Sequence, residues 1–226
     1  MTGLAWQVCA DASALARAAA DRVLVLATQA LAAREVFRIA LAGGRTPAAT
    51  YALLRDADTD WSRWHIYFTD ERCVGPRDPA RNAHMTRESW LDHVTVPAAQ
   101  VHAIPVEYGP RVAASRYGED VARITPFDVV MLGIGEDGHT ASLFPGRPSM
   151  PEAWAVAVDD APKPPANRVS LGLRALRATR EVLVLASGPD KQSALSAWRA
   201  GAPLPIAEAT AGMNGTVFVD RAAFRI

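Results

Sequence analysis

The chain has 226 residues, enough for one large domain or two small ones, and a chain of this length buries about 70% or more of the surface its unfolded form exposes. Its 24 basic and 24 acidic side chains cancel and the isoelectric point is near 7, which excludes a global basic field of the kind that draws nucleic acid or anionic lipid. Any anionic ligand has to be met locally.

Cys9 and Cys73 are far apart and have no CxxC spacing, which favours a reducing compartment over a disulfide frame or a zinc knuckle. There is no uninterrupted apolar stretch of about 18 residues, and the N-terminal MTGLAWQVCADAS has no charged region followed by an apolar one. The expectation is a cytoplasmic protein, off the membrane. Arginine outnumbers lysine 22 to 2, a bias of base composition to which Lys163 and Lys191 are the exceptions.

In chain order, residues 12–33 are rich in Ala and Leu behind Asp11 as N-cap, and they predict a long helix. VFRIALA (36–42) predicts a strand that runs into GGRTP and a helical AATYALLRD. WHIYFT (64–69) runs into DERCVGPRDPARN and a helical HMTRESWLD. FDVVML (127–132) runs into GIGEDGHTASLFPG, and EVLVLA (181–186) into SGPD and a helical KQSALSAW. WAVAV (154–158) and RVSLGL (168–173) are two further predicted strands flanking the proline-rich APKPPAN, and TVFVD (216–220) is expected to close the chain at a sheet edge. Strands alternating with helices predict an α/β layer fold with a mainly parallel sheet, and no repeat or linker divides it, so one domain is expected.

In such sheets the loops at the carboxyl ends of the strands collect in one crevice where ligands bind. Four of them carry unusual chemistry. In GGRTP, Gly43 and Gly44 let backbone N–H groups approach an anion, with Arg45 and Thr46 adding a charge and a hydroxyl. The plainer alternative is a strand-to-helix turn with Thr46 as N-cap and Pro47 at N1. GIGEDG (133–138) satisfies GxGxxG, and Asp159 or Asp160 stands near the spacing of a dinucleotide fingerprint. Pro145, Gly146, Pro148 and Pro151, however, break the helix such a site needs.

The other use of those glycines is to present His139 to the crevice, where it takes a proton from water while Asp137 fixes its tautomer. Ser142 lacks the GxSxG elbow of a nucleophile, and capping or hydrogen bonding suits it better. N–H groups of the turn Thr140–Leu143 are candidates for oxyanion stabilisation. Asp70, Glu71 and Arg72 suit proton transfer, sugar hydroxyls or an anion, or else form a surface ion-pair cluster. Asn82 either returns to the crevice or caps the next helix. Arg168 and Lys191 are cations at a strand and a helix start, fit for a second half of a phosphate site. His65, His84, His93 and His102 have no metal-ligand spacing, and no metal is expected.

Taken together, LAGGRTPAATYALL, FTDERCVGPRDPARNAHM, FDVVMLGIGEDGHTASLFPG, NRVSLGL and VLASGPDKQSAL resemble the 6-phosphogluconolactonase family, in order and spacing across most of the chain. The resemblance implies a single-domain, Rossmann-like α/β/α sandwich over residues 1–226. It implies cofactor-free hydrolysis of a small-molecule substrate, 6-phosphogluconolactone, in the oxidative pentose phosphate pathway. A monomer or weak homo-oligomer that binds no nucleic acid is expected. His139 is then the general base and Asp137 its neighbour, with Asp70 as a further catalytic candidate. Arg72, Arg168 and Lys191 hold the phosphate with the GGRTP backbone. The family usually has Ser where this chain has Arg45, so Arg45 either reaches the phosphate or points to solvent.

Glucosamine-6-phosphate deaminase is similar in its loops, but it carries a second acid where Phe144 stands and Tyr where Arg72 stands. The same fold also serves as a sugar-phosphate sensor. Such sensors in transcription regulators need a DNA-reading domain, and the expectation is that none precedes residue 36, which leaves a stand-alone sensor that binds ligand without turning it over as the alternative.

Overall fold

A computed structural model of the chain describes residues 3–147 and 150–224, so Pro148 lies outside the described residues. The elements run β1 (Leu4–Cys9), α1 (Ala12–Arg34), β2 (Phe37–Leu41), α2 (Arg45–Ala52), β3 (Trp64–Phe68), β4 (Asp70–Arg72), α3 (Asn82–Ser89) and α4 (Pro110–Ile124). They continue with β5 (Phe127–Gly133), β6 (Ala155–Val158), β7 (Arg168–Leu171), α5 (Leu173–Arg177), β8 (Thr179–Ala186), α6 (Gln192–Arg199), α7 (Pro205–Thr210) and β9 (Gly215–Asp220).

Helix α1 starts where Asp11 accepts the Ala14 N–H at 2.8 Å, a cap worth about 1 kcal/mol. Leu15, Ala19, Val23, Ala27 and Ala30 recur at helical spacing and are all buried, so a narrow alanine-rich face lets the helix lie close against β1, β2, β5, β8 and β9.

These five strands and β3 form one sheet in the order β1-β9-β8-β5-β2-β3, with every pair parallel. Central β5 is apolar almost throughout and buried on both faces, as a parallel strand between helix layers must be. From β2 the chain moves on to β3 at one edge, whereas from β5 it moves to β8 on the opposite side. The loops after β2 and β5 therefore diverge, and a crevice opens between their carboxyl ends.

One expectation and one alternative are corrected, and the two strands expected at WAVAV and RVSLGL form in a second sheet. TVFVD is not an edge: β9 lies between β1 and β8, because Leu4–Cys9 forms an outer strand that no sequence pattern announces. WAVAV and RVSLGL do not join the large sheet. They form β6 and β7 of a separate antiparallel sheet, β4-β7-β6, covered by α4. Helix α2 begins at Arg45 behind Gly44 at φ +110°, so Thr46 lies inside the helix and is not its N-cap.

The edge strand β3 is covered by the segment ending at His102, whose N–H donates to Ile66 O at 2.8 Å. The His65 and His102 rings share a 3.1 Å hydrogen bond, so double protonation would set two cations in contact. Burial pushes both imidazoles below their usual 6.5, helped by Arg38 at His65 and by His65 itself at His102, with Asp120 opposing at His102. The unfolded chain then binds more protons than the folded one below pH 6.5, so this stability is present above 6.5 and is lost as the pH falls. Melting curves of His102→Gln should show a shallower loss between neutral and mildly acidic pH than the parent protein; parallel slopes would dismiss the pair as the cause.

Candidate active site

The crevice at the carboxyl ends of β2 and β5 is a cleft of about 200 Å³ lined by Gly43, Gly44, Asp70, Arg72, His139, Arg168 and Lys191 among others. Residues from four distant loops and from the small sheet thus meet in one place. Arg45 and Thr46 do not line it: Arg45 is exposed, and its charge acts on Asp190 instead.

The loop after β5 folds back on itself through Gly135 N–H to His139 O at 2.8 Å and Gly138 N–H to Gly135 O at 3.0 Å. Its glycines have separate causes. A Cβ on Gly135 would lie 2.0 Å from His139 Nδ1, so only glycine leaves room for the imidazole. Gly138 turns at φ +85° with Leu204 pressed against it. No helix follows within residues 138–147, and Asp159 and Asp160 give their carbonyls to Arg147 on the far side, so the dinucleotide pattern has no structural counterpart.

His139 Nδ1 sits 2.5 Å from Asp137 Oδ1, which leaves Nε2 as the nitrogen for the cleft. Only 18% of its side chain is exposed. Burial holds the imidazole below its usual pKa, against the opposing pull of Asp137, so the ring is neutral and basic at neutral pH. Asp137 stays below the ordinary carboxylate range in spite of burial, because of the hydrogen bond from His139. The Phe144 ring packs 4.8 Å from the imidazole and offers it no proton relay.

Asp70 is buried with both oxygens occupied: Asn82 Nδ2 donates to Oδ1 at 2.9 Å and Ser142 Oγ to Oδ2 at 2.6 Å. Ser142 N–H in turn donates to Ser170 Oγ at 3.2 Å. Ser142 therefore serves hydrogen bonding, and Asn82 returns to the crevice wall; a Cβ on Gly43 would collide with it. Glu71 is neither a cleft residue nor a surface ion pair. It is fully buried, and its carboxylate accepts the N–H groups of Arg72, Asn82 and Ala83, which caps α3.

Arg72 and Arg168 are register partners on the antiparallel pair of β4 and β7. Arg72 Nη1 donates to Ala80 O at 2.5 Å, while its buried Nε has no acceptor among the described residues. Arg168 donates through Nε to Pro165 O at 3.0 Å and through Nη2 to Lys163 O at 2.8 Å, and burial and the Arg72 charge depress its pKa. Lys191 comes from the loop after β8, which Asp220 at the end of β9 fixes by accepting Ser187 Oγ and Gly188 N–H. Of the turn Thr140–Leu143, only the Ala141 N–H has no acceptor among the described residues, and Ala141 lines the cleft. Asp220 and Ser170 carry no signal in the sequence, since each acts through a chain contact far away along it. No cluster of three or more metal-ligating side chains occurs among the described residues, and none of their helices is long and apolar enough to cross a membrane.

Residues 10–218 match the family model described as glucosamine-6-phosphate isomerases/6-phosphogluconolactonase. The chain belongs to this family. Among curated relatives, a 6-phosphogluconolactonase of Streptomyces coelicolor is 37% identical over 85% of this chain and 81% of its own. One of Mycobacterium tuberculosis is 36% identical over 96% of each chain. Among solved members of the family, the 6-phosphogluconolactonase of Thermotoga maritima superposes with a TM-score of 0.90 at 25% identity, covering 97% of this chain and all of that one. A monomeric glucosamine-6-phosphate deaminase superposes with a TM-score of 0.86 at 19% identity over 97% of this chain and 98% of its own, a likeness of fold alone.

Proposed function

We propose that the chain, acting as one 6-phosphogluconolactonase-like domain over residues 1–226, hydrolyses 6-phospho-D-glucono-1,5-lactone to 6-phospho-D-gluconate in the oxidative pentose phosphate pathway. The observation that carries this reading is the shared cleft: an imidazole oriented by Asp137 lies with Arg72, Arg168 and Lys191, three cations from distant segments. The phosphate docks on these cations beside the Gly43–Gly44 backbone. Anchoring sets C1 near His139 and turns a bimolecular reaction into a positioned one.

His139 Nε2 then takes a proton from water as the water oxygen bonds to C1. The tetrahedral oxyanion is met by the Ala141 N–H. On collapse the bond from C1 to the ring oxygen breaks, and His139 returns its proton to that oxygen, which becomes the C5 hydroxyl. Asp70, held ready by Asn82 and Ser142, supports the imidazolium by its charge.

The deaminase alternative is disfavoured by Phe144, which offers no proton where that chemistry needs an acid. The test uses freshly generated lactone, with consumption compared against spontaneous opening and glucosamine 6-phosphate assayed in parallel for ammonia. Lactone consumption well above background with no ammonia is expected, and kcat/KM should fall only below pH 6.5, since the base has a depressed pKa. Ammonia release would favour the deaminase, and tight binding without turnover the sensor.

A further inference from the structure

Both lysines of the chain end at the cleft: Lys191 lines it, and Lys163 pairs with Glu136, which lines it. Lys163 lies in the loop between β6 and β7. Ala161 N–H donates to Ala166 O at 2.8 Å and closes this loop. Arg147 holds its near end through the carbonyls of Asp159 and Asp160, and Arg168 holds its far end through those of Lys163 and Pro165. The loop is thus slung between two arginines, one of which belongs to the cleft. From it, Lys163 Nζ reaches 2.5 Å from Glu136 Oε1, on the same turn that carries His139.

Three carboxylates stand near His139: Asp137 and Asp70 act on its charge, and Glu136 lies on the same turn. Hydrolysis creates a carboxylate at C1 next to the base, so the product's own charge would be repelled there unless a cation answers it. Lys163 is placed to do so. Its charge already reaches both Asp137 and His139, while its resting bond to Glu136 is partly exposed, with 33% and 56% of the two side chains open to solvent, so exchanging that partner for another costs little.

We propose that Lys163 is a ligand-contacting cation for the C1 end of the sugar, parked on Glu136 in the free protein and turned to the C1 oxygens when ligand is bound. The proposal rests on the lactonase reading above. The basic side chains then divide between the two ends of the ligand, with Arg72, Arg168 and Lys191 on the phosphate and Lys163 on the carboxylate.

Calorimetry with 6-phosphogluconate and with sorbitol 6-phosphate separates the two ends, because the second ligand keeps the phosphate and the open chain but has no carboxylate. Lys163→Met should weaken 6-phosphogluconate about tenfold, the scale of one partly exposed charge-assisted hydrogen bond, and leave sorbitol 6-phosphate within about twofold. Lys163→Arg should recover part of the loss, and Glu136→Gln should tighten 6-phosphogluconate by removing both the competitor and a repelling charge. Equal weakening of the two ligands would make Lys163 a phosphate ligand or a mere support for Arg168, and unchanged affinity for both would remove it from the site; either overturns the proposal. Turnover of the lactone by the parent protein is measured alongside. Turnover with full 6-phosphogluconate affinity in Lys163→Met sinks the lysine assignment alone, whereas no turnover overturns both readings.

Discussion

Replacing His139 with alanine is expected to lower kcat by about 10²- to 10⁴-fold, the usual range for loss of a general base, with KM nearly unchanged. The asymmetry follows from the cleft. The imidazole is the one histidine that lines it, with Nδ1 committed to Asp137 at 2.5 Å, while the cations assigned to the phosphate come from β4, β7 and the loop after β8. The variant removes the proton acceptor and leaves the anchor. Single-turnover measurements on fresh lactone, corrected for spontaneous opening, read this directly. A variant with nearly parental kcat would take His139 out of the reaction, and one that lost affinity and turnover together would make it a binding residue.

Gly135→Ala should cost about 10²-fold in kcat while the protein stays folded, the penalty associated with misplacing a reacting group by about an ångström. A methyl group there would stand 2.0 Å from His139 Nδ1, 2.1 Å from Cε1 and 2.7 Å from Asp137 Oδ1. Each is a collision, so the ring has to swing away and the bond that fixes its tautomer is broken. No large core side chain moves, which is why the loss should fall on turnover and leave the melting temperature close to the parent's. Parental turnover in a well-folded variant would mean that this glycine is not there to seat the imidazole.

Much of the cleft is legible before the fold because its chemistry is concentrated in loops that interrupt apolar strands. Glycines, acids and a histidine directly after FDVVML have little reason to be there unless a side chain is being presented, and the crowding at Gly135 is that reason. The parts that escape a sequence reading are those whose cause is distant. In LAWQVC, Leu4 and Trp6 are half-buried against the core but Val8 on the same face is exposed, so the apolar residues do not mark one side of β1, and without it β9 looks like an edge. PRVAASRYGEDVARI carries a weak helix former, Gly118, inside a continuous helix, and the structure gives the reason, since a Cβ there would crowd the Ala155 N–H at 3.3 Å where β6 packs against α4. The pairing of DER with RVSL, and the bonds from Ser142 and Asn82 to Asp70, join residues 12 to 100 positions apart and leave no local trace. Arg45 takes the solvent-facing alternative and Thr46 departs from its capping role for a local reason: a glycine at φ +110° starts the helix earlier than a threonine cap would.

The register of the small sheet sets Arg72 directly across from Arg168, and like charges opposed on neighbouring strands repel. Without a counter-ion the protein therefore forgoes some of the stability a neutral pair would give it. A dianion seated between the two guanidinium groups turns that mutual repulsion into shared attraction. On the proposed docking, affinity for phosphate and fragility of the empty protein are two readings of a single strand pairing, and a substitution that made the sheet more robust by neutralising either arginine would do so at the expense of grip on the ligand.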